Sequence, residues 1–169
     1  MADTKHAAAS LPRTAAPPRA FAGKYARFLD YYKSDPSERI TMIRHGVEPS
    51  DVKLLAERMK LTHKHFMQSL GLKTSTVNRK HAQQTPLTRD ESERVLGLAK
   101  LIGQLEKLME ESRDPDDAVD FNAAQWIGEW VQEPNMALGG KTPITFMDTS
   151  EGRDIVSNLI SRLQTGAYS

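Results

Sequence analysis

The sequence contains no cysteine, which excludes disulfide bonds, zinc sites built from thiolates and catalysis by a cysteine nucleophile. It also lacks any run approaching the roughly 20 apolar residues of a membrane-spanning helix, and its first twenty residues lack the apolar core of a signal peptide. We therefore expect a cytoplasmic protein with no membrane partner. With 169 residues, 38% of them apolar and 27% charged, the chain is long enough for one ordinary domain or two small ones.

Acidic residues are missing from the stretch between Glu57 and Asp90. The basic residues in this stretch are Arg58, Lys60, Lys64, Lys73, Arg79, Lys80 and Arg89. The net charge of the whole chain is +1, but residues 1–87 hold 15 basic against 7 acidic residues, whereas residues 88–169 hold 8 against 15. A basic block of this kind suits a nucleic acid, because each phosphate that is neutralised releases counterions. The alternative is a basic face that contacts only solvent.

Residue patterns that carry catalysis or bind a cofactor are also absent. The five histidines are His6, His45, His63, His65 and His81. His63 and His65 would lie on different faces of a helix, and no acidic residue nearby completes a metal site. The aspartates at 116–120 have no apolar surroundings to raise their pKa, and Gly139-Gly140 follow a helix rather than a strand, unlike a phosphate-binding loop. We therefore expect no enzyme activity, no metal site and no cofactor.

Apolar periodicity predicts a chain made of helices. Residues 1–20 are rich in alanine and proline and are interpreted as a disordered leader. Aromatic residues recur at helical spacing over residues 21–32 and predict a first helix. The longest helix is predicted to begin at Thr88, whose side chain forms a capping box with Glu91. Its apolar residues fit either a coiled-coil dimer seam or a core face, and they are Val95, Leu98, Ile102, Leu105 and Met109.

Residues 62–84 have the pattern of a helix-turn-helix. Thr62 caps the first helix, Gly71 supplies the turn, and Thr74 or Ser75 caps the second helix. The inward positions are Phe66, Leu70, Leu72 and Val77. In this geometry the second helix presents its N-terminal side chains to the major groove of DNA. The sequence therefore predicts that this segment contacts DNA.

The candidate DNA-binding residues lie at and after the start of the second helix, and they are Lys73, Ser75, Thr76, Asn78, Arg79 and Lys80. Asn78 and Arg79 have the donors and acceptors needed to read adenine and guanine. Lys73 and Lys80 are assigned to phosphates, because an ammonium group is a point charge without a base-specific geometry. Since operators are usually read by paired domains, a homodimer is expected.

An acidic segment at 113–120 separates the basic half from a tryptophan-bearing half, and the boundary is placed near Pro115. Trp126 and Trp130 are one helical turn apart, so they share a face. Trp126 is interpreted as a core residue and Trp130 as an exposed hot spot. Pro134 ends their helix, and the residues that follow form a loop.

Apolar residues in and after this loop outnumber what a domain of about fifty residues buries, and they are Met136, Leu138, Ile144, Phe146 and Met147. They predict an exposed apolar patch that binds a partner. Thr142-Pro143 begins the next helix, with threonine as the cap and proline at the first helical position. Asp148 is predicted to cap a last helix together with Glu151.

These C-terminal residues resemble the toxin-binding domain of the Xre/MbcA/ParS antitoxins. The matching residues are Trp126, Asn135, Ala137, Leu138, Gly139, Gly140, Thr142, Pro143, Glu151, Gly152, Arg162 and Gly166. The resemblance is close over about the last fifty residues and looser from Arg39 onward. It departs from the family at Met136, where proline or a small residue is frequent, and at Lys141, where arginine is usual.

The resemblance implies an all-α antitoxin with an N-terminal helix-turn-helix module, a long central helix and a small C-terminal toxin-binding domain. The expected divisions are a leader at 1–20, a helix-turn-helix and dimerisation module at 21–114, and a toxin-binding domain at 115–169. The implied partners are a RES-type toxin that consumes NAD and the operator DNA of the chain's own operon. The alternative is a helical DNA-binding regulator whose C-terminal domain only dimerises and which has no toxin partner.

The resemblance also implies which residues contact the toxin. The candidates are Trp130, Asn135, Leu138, Gly139, Gly140, Lys141, Arg162, Tyr168 and Ser169. The C-terminal end is expected to block the NAD pocket of the toxin. Tyr168 is expected to stack at the entrance of that pocket, and the terminal carboxylate of Ser169 to meet an arginine in a charge-assisted contact.

Overall fold

The computed structural model describes residues 20, 21, 23, 26–112 and 121–163. Within these ranges the chain is helical and contains no strand beyond an isolated bridge between Asn135 and Lys141. The α-helices are α1 (Phe28–Lys33), α2 (Pro36–His45), α3 (Pro49–Arg58), α4 (His63–Ser69), α5 (Thr74–Ala82), α6 (Arg89–Ser112), α7 (Ala123–Trp130) and α8 (Ser150–Leu163). Two short 3-10 helices span Met136–Leu138 and Pro143–Phe146. The predicted all-α class is confirmed.

The 24-residue helix α6 is the element on which α1, α2, α7 and α8 pack. Its predicted seam lies in the core of the chain itself, with Val95, Leu98, Ile102 and Leu105 almost fully buried. Met109, the last residue of the seam, is 36% exposed. The core interpretation of this pattern is therefore confirmed, and the seam is not available as a coiled-coil dimer interface.

Two predicted helix starts are confirmed in detail. The Thr88 amide donates to Glu91 Oε2 at 2.8 Å and the Glu91 amide donates to Thr88 Oγ1 at 3.3 Å, which is the predicted capping box. Thr62 Oγ1 accepts from the amide of His65 at 3.3 Å and caps α4. Helix α8 differs from the prediction, because Thr149 rather than Asp148 caps it, with Oγ1 accepting from the Gly152 amide at 3.0 Å.

The N-terminal helix is shorter than the aromatic spacing predicted, since α1 covers only Phe28–Lys33. Phe21 is nevertheless buried, and its ring lies 5.5 Å from that of Phe28. Ala20 is also buried, with its amide donating to Asp51 Oδ2 at 3.0 Å. Ala20, the last residue of the predicted leader, therefore contacts the core, and residues 1–19 lie outside the described residues.

The helix-turn-helix region and the tryptophan-bearing region share one hydrophobic core, whose members run from Ala20 to Ile160. Helix α7 meets the end of α3 at Gly128, where an added Cβ would lie 2.0 Å from the carbonyl oxygen of Met59. Gln104 of α6 donates to the Ser157 carbonyl of α8 at 3.0 Å. The two regions are thus packed together, while the predicted boundary near Pro115 lies outside the described residues.

Glu106 of α6 is half-buried, and its Oε2 accepts from the Leu29 amide at 2.6 Å. Burial raises the pKa of Glu106 above the usual glutamate value, although the Leu29 amide and the charge of Arg27 oppose the shift. The folded state therefore holds this proton more tightly than the unfolded state. The resulting contribution to stability is complete below the usual glutamate pKa and is lost as pH rises through the folded pKa.

Glu106→Gln keeps an oxygen for the Leu29 amide and removes the charge. We expect the melting temperature of the wild type to fall more between pH 4 and pH 8 than that of the variant. At pH 8 the melting temperature of the variant should equal or exceed that of the wild type. The measurement is the melting temperature of both proteins across this range. Parallel curves would contradict the burial of a charged Glu106.

Candidate functional site

Helices α4 and α5 form the predicted helix-turn-helix. Gly71 adopts a φ of 63° between them, which few side chains tolerate, so the turn requires glycine. Leu72 follows it as a buried residue, and Val77 is fully buried on the inner face of α5. Lys73 rather than Thr74 or Ser75 occupies the cap position of α5, without a side-chain cap bond. The predicted cap is therefore wrong, while the predicted turn is confirmed.

The candidate DNA-binding residues lie at the start of α5 and along its outer side. Lys73, Ser75, Asn78 and Arg79 are exposed, and Thr76 is half-buried. Unlike Val77, none of these side chains is buried, so α5 can present them without disturbing the core. Their contact with DNA stays a prediction.

Lys80 occupies a different environment from the other candidates. Its side chain is only 13% exposed, and its ammonium lies 3.1 Å from Glu91 Oε2 and 3.2 Å from the carbonyl oxygen of Pro86. Burial alone raises the pKa of Glu91, but the Thr88 amide and Lys80 more than offset this and hold it below the usual glutamate value. Lys80 therefore ties α5 to the capping box of α6, and a phosphate would compete with Glu91 for it.

Arg94 of α6 was missed in the sequence and holds the turn of the helix-turn-helix. Its Nη1 donates to the carbonyl oxygen of Gly71 at 3.1 Å, and its Nη2 lies 2.6 Å from Asp90 Oδ2. The i,i+4 spacing of Asp90 and Arg94 is the only sequence signal of this contact. The guanidinium thus fixes the turn that orients α5 relative to α6.

The two tryptophans stack on one another, with ring centroids 5.5 Å apart and planes at 15°. Trp126 also lies 6.5 Å from the ring of Phe121, which is itself exposed. Both tryptophans are half-buried against the core. The predicted contrast between a buried Trp126 and an exposed Trp130 is therefore wrong, and the pair forms a shared aromatic surface.

Residues 135–141 form a closed loop organised by Asn135. The Asn135 side chain accepts from the Ala137 amide at 2.9 Å, and its carbonyl oxygen accepts from the amides of Leu138 and Gly140, both at 3.0 Å. Gly139 and Gly140 have φ values of 64° and 80° and face open space. Asn135 is buried, so its role in the structure is to shape the loop.

The predicted apolar patch is smaller than the sequence indicated. Met147 is buried, and Ile144 and Phe146 pack against the core. Leu138 is half-buried, whereas Met136 is 90% exposed. The prediction of a five-residue patch is therefore wrong, and Met136 is its most exposed member.

The remaining candidate toxin-binding residues are dispersed. Lys141 is exposed at the end of the loop, and Arg162 is exposed in the last turn of α8. Tyr168 and Ser169 lie outside the described residues, as does Gly166. The structure thus brings together the loop residues and leaves Arg162 on a separate helix.

An open cleft of about 300 Å³ lies between α2, α6 and α8, with charges of both signs on its walls. Arg153 is buried beside it, where its Nη1 donates to the Met147 carbonyl oxygen at 3.0 Å. Burial lowers the pKa of this arginine, and Glu93 opposes the shift.

Across the described part of the chain there is no cluster of three or more side chains able to hold a metal ion. None of the helices described above combines the length and the apolar composition that a membrane-spanning segment needs.

The helix-turn-helix region and the tryptophan-bearing region each match a family model of known proteins. Residues 38–100 match the family model of the antitoxin Xre-like helix-turn-helix domain. Residues 121–166 match the model of the antitoxin Xre/MbcA/ParS C-terminal toxin-binding domain. The chain is also 44% identical over 137 residues to the Prs ADP-ribosylating antitoxin of Sphingobium sp. (strain YBL2), which covers 81% of this chain and 84% of that protein.

Proposed function

The chain belongs to the Xre/MbcA/ParS antitoxin family, and we propose that it binds a RES-type, NAD-consuming toxin and inhibits it by covering its active site. The observation that carries this proposal is the match of residues 121–166 to a toxin-binding domain, together with a loop in that region that is shaped for presentation rather than burial. The protein acts as a binding partner and performs no catalysis.

The chemistry of the toxin is inferred from the name of the related antitoxin. That protein is called a Prs ADP-ribosylating antitoxin. Transfer of ADP-ribose to a protein takes the group from NAD and releases nicotinamide, so a toxin with this activity consumes NAD. Identity of 44% over most of both chains supports a toxin of the same chemistry here.

The charge of the chain supports the mode of inhibition. A pocket for a dinucleotide carries cationic or polar groups for its phosphates, and residues 88–169 hold 15 acidic against 8 basic residues. We assign the occlusion of the pocket to residues 167–169, with Tyr168 at its entrance. Arg162, Lys141 and the aromatic surface of Trp130 lie in the same matched region.

The N-terminal region supports a second activity. The antitoxin Xre-like helix-turn-helix match and the exposed side chains of α5 favour binding to the operator of the chain's own operon, and hence repression of it. Binding as a homodimer stays part of the proposal, although the seam of α6 cannot form the interface because it is buried within the chain. Both partners, the toxin and the operator, place the chain in the cytoplasm.

The test is co-expression of the chain with the product of the adjacent open reading frame, while cell growth and intracellular NAD are followed. We expect the neighbour alone to arrest growth and deplete NAD, and the chain to restore both. A variant lacking Ala167 to Ser169 should still co-purify with the toxin but no longer restore NAD. If the neighbour is harmless, the alternative of a regulator without a toxin partner is favoured. If the truncated chain inhibits fully, the C-terminal end is not the plug.

A further inference from the structure

Met136 is the most exposed large apolar side chain of the described residues, at 90%. The other exposed large hydrophobic side chains of that part of the chain are 36% to 46% exposed, so each packs more than half of its surface against the protein. The Met136 side chain packs almost none of its surface against the protein. An apolar side chain with this exposure gains almost no burial in the isolated chain, so its apolar area is available to a partner.

The loop that carries Met136 is held in one shape by its own hydrogen bonds. The Met136 carbonyl oxygen accepts from the Gly139 amide at 3.0 Å, and the Asn135 amide donates to the Lys141 carbonyl oxygen at 3.0 Å. The loop is also anchored to the end of α7, since the Ile144 amide donates to the Val131 carbonyl oxygen at 2.9 Å. A loop already ordered before binding loses less conformational entropy in the complex.

We propose that Met136 is an anchor residue that inserts into an apolar pocket on the toxin, with the loop 135–141 as its preorganised support. This inference rests on the proposed function and deepens it. The loop lies inside the region that matches a toxin-binding domain. A single apolar side chain without cover suits the concave, mostly apolar pockets that proteins use for binding. The flexible thioether of methionine adapts to such a pocket.

The toxin fits this surface better than a second copy of the chain does. The loop lies in the region matched to a toxin-binding domain, and its exposed apolar surface is one methionine beside the half-buried Leu138. This is far less than the roughly 800 Å² that each partner buries in a stable complex, so Met136 is one contact within a larger toxin interface. Met136 and the C-terminal end then have different roles. Met136 sets how tightly the toxin is held, and the C-terminal end covers the pocket of the toxin once it is bound.

The test is the dissociation constant between the purified chain and the purified toxin encoded beside it, for the wild type and for Met136→Ser. We expect Met136→Ser to weaken binding by about 10- to 100-fold, which corresponds to the loss of one buried methionine side chain. Met136→Leu should bind within about threefold of the wild type, because it preserves apolar volume. At saturating concentration Met136→Ser should still inhibit the toxin completely.

Two further variants test whether the loss of affinity is specific to Met136 and whether it depends on the order of the loop. Ile40→Ser removes another exposed apolar side chain, 46% exposed on α2, and should leave the affinity unchanged. Asn135→Ala removes the acceptor of the Ala137 amide. It should speed hydrogen exchange at Ala137 and weaken toxin binding while Met136 is still present.

The outcomes distinguish this inference from the proposed function. If the wild type binds no toxin, the proposed function and the anchor both fail. If the wild type binds and Met136→Ser binds equally well, the anchor alone is wrong. If Met136→Ser changes only self-association, measured by analytical ultracentrifugation, the loop is a contact between copies and the inference is overturned.

Discussion

Replacing Gly128 by valine is expected to destabilise the whole fold and to lower its melting temperature by roughly 10 °C. An added Cβ at this position would lie 2.0 Å from the Met59 carbonyl oxygen and 2.9 Å from its carbonyl carbon. Both atoms belong to the backbone at the end of α3, so no rotamer change relieves the clash. Helix α7 would have to move away from α3, which opens the core that the two regions share.

The cost of such a displacement is at least about 3 kcal/mol, the upper part of the usual range for overpacking. For a domain of this size that lowers the melting temperature by roughly 10 °C, and it is a large share of a total stability of about 5–15 kcal/mol. Thermal unfolding monitored by circular dichroism measures the shift. Gly128→Ala should show the same effect in milder form.

Glu129→Val is the matched control for Gly128→Val. It places the same β-branched residue on the next, exposed position of α7 and breaks only the surface bond from Gln125 Nε2 to Glu129 Oε1. We expect a change of less than about 1 kcal/mol. Equal melting temperatures for the two valine variants would show that the close approach of α7 to Met59 does not limit stability.

The helix-turn-helix could be predicted because its signals are local. Thr62 as a cap, Gly71 at a positive φ and Val77 on the inner face each follow from short-range conformational preference. The capping box at Thr88 was predicted for the same reason. Gly128 gave no such signal, because a glycine inside a helix does not reveal which backbone approaches it.

The apolar pattern of α6 predicted a buried face but not the surface that covers it. A seam over two heptads fits a partner helix in another copy as well as helices of the same chain. Similarly, the apolar residues after the loop seemed too many for a domain of about fifty residues. Met147 is buried because the C-terminal region adds its core to that of the N-terminal region, a long-range arrangement that residue counts cannot show.

The sequence predicted the position of the loop but not the roles of its residues, for a physical reason. The conformation of the loop depends on Asn135 and two glycines, whose preferences are local, so its position was confirmed. The roles of its residues depend on burial, which is set by distant parts of the chain. Asn135 thus shapes the loop from a buried position, and Lys80 pairs with Glu91.

Substituting both Asn78 and Arg79 by alanine is expected to remove sequence-specific operator binding while leaving the fold intact. Both side chains are exposed on α5 and neither belongs to the core, so their loss leaves the core unchanged. Each base contact of this kind is worth about 1–3 kcal/mol of discrimination. The double variant should therefore bind the operator about 100-fold more weakly or worse.

Lys73→Ala provides the comparison, since its ammonium is assigned to a phosphate rather than to a base. It should weaken binding to operator and scrambled duplexes by the same factor and reduce the slope of log K against log salt by about one. Fluorescence anisotropy with both duplexes at several salt concentrations measures these effects. Lys80 is unsuited to this comparison, because its ammonium also stabilises the capping box of α6 through Glu91.

Comparing the operator with the scrambled duplex distinguishes contacts to bases from contacts to the phosphate backbone. If the double variant loses affinity for the operator alone, Asn78 and Arg79 read bases. If it loses affinity for both duplexes equally, the two residues act only on the backbone of the DNA, and specificity must come from elsewhere on the protein. If neither affinity changes, the exposed side of α5 is not the DNA-binding surface, and the basic residues between Glu57 and Asp90 contact solvent there.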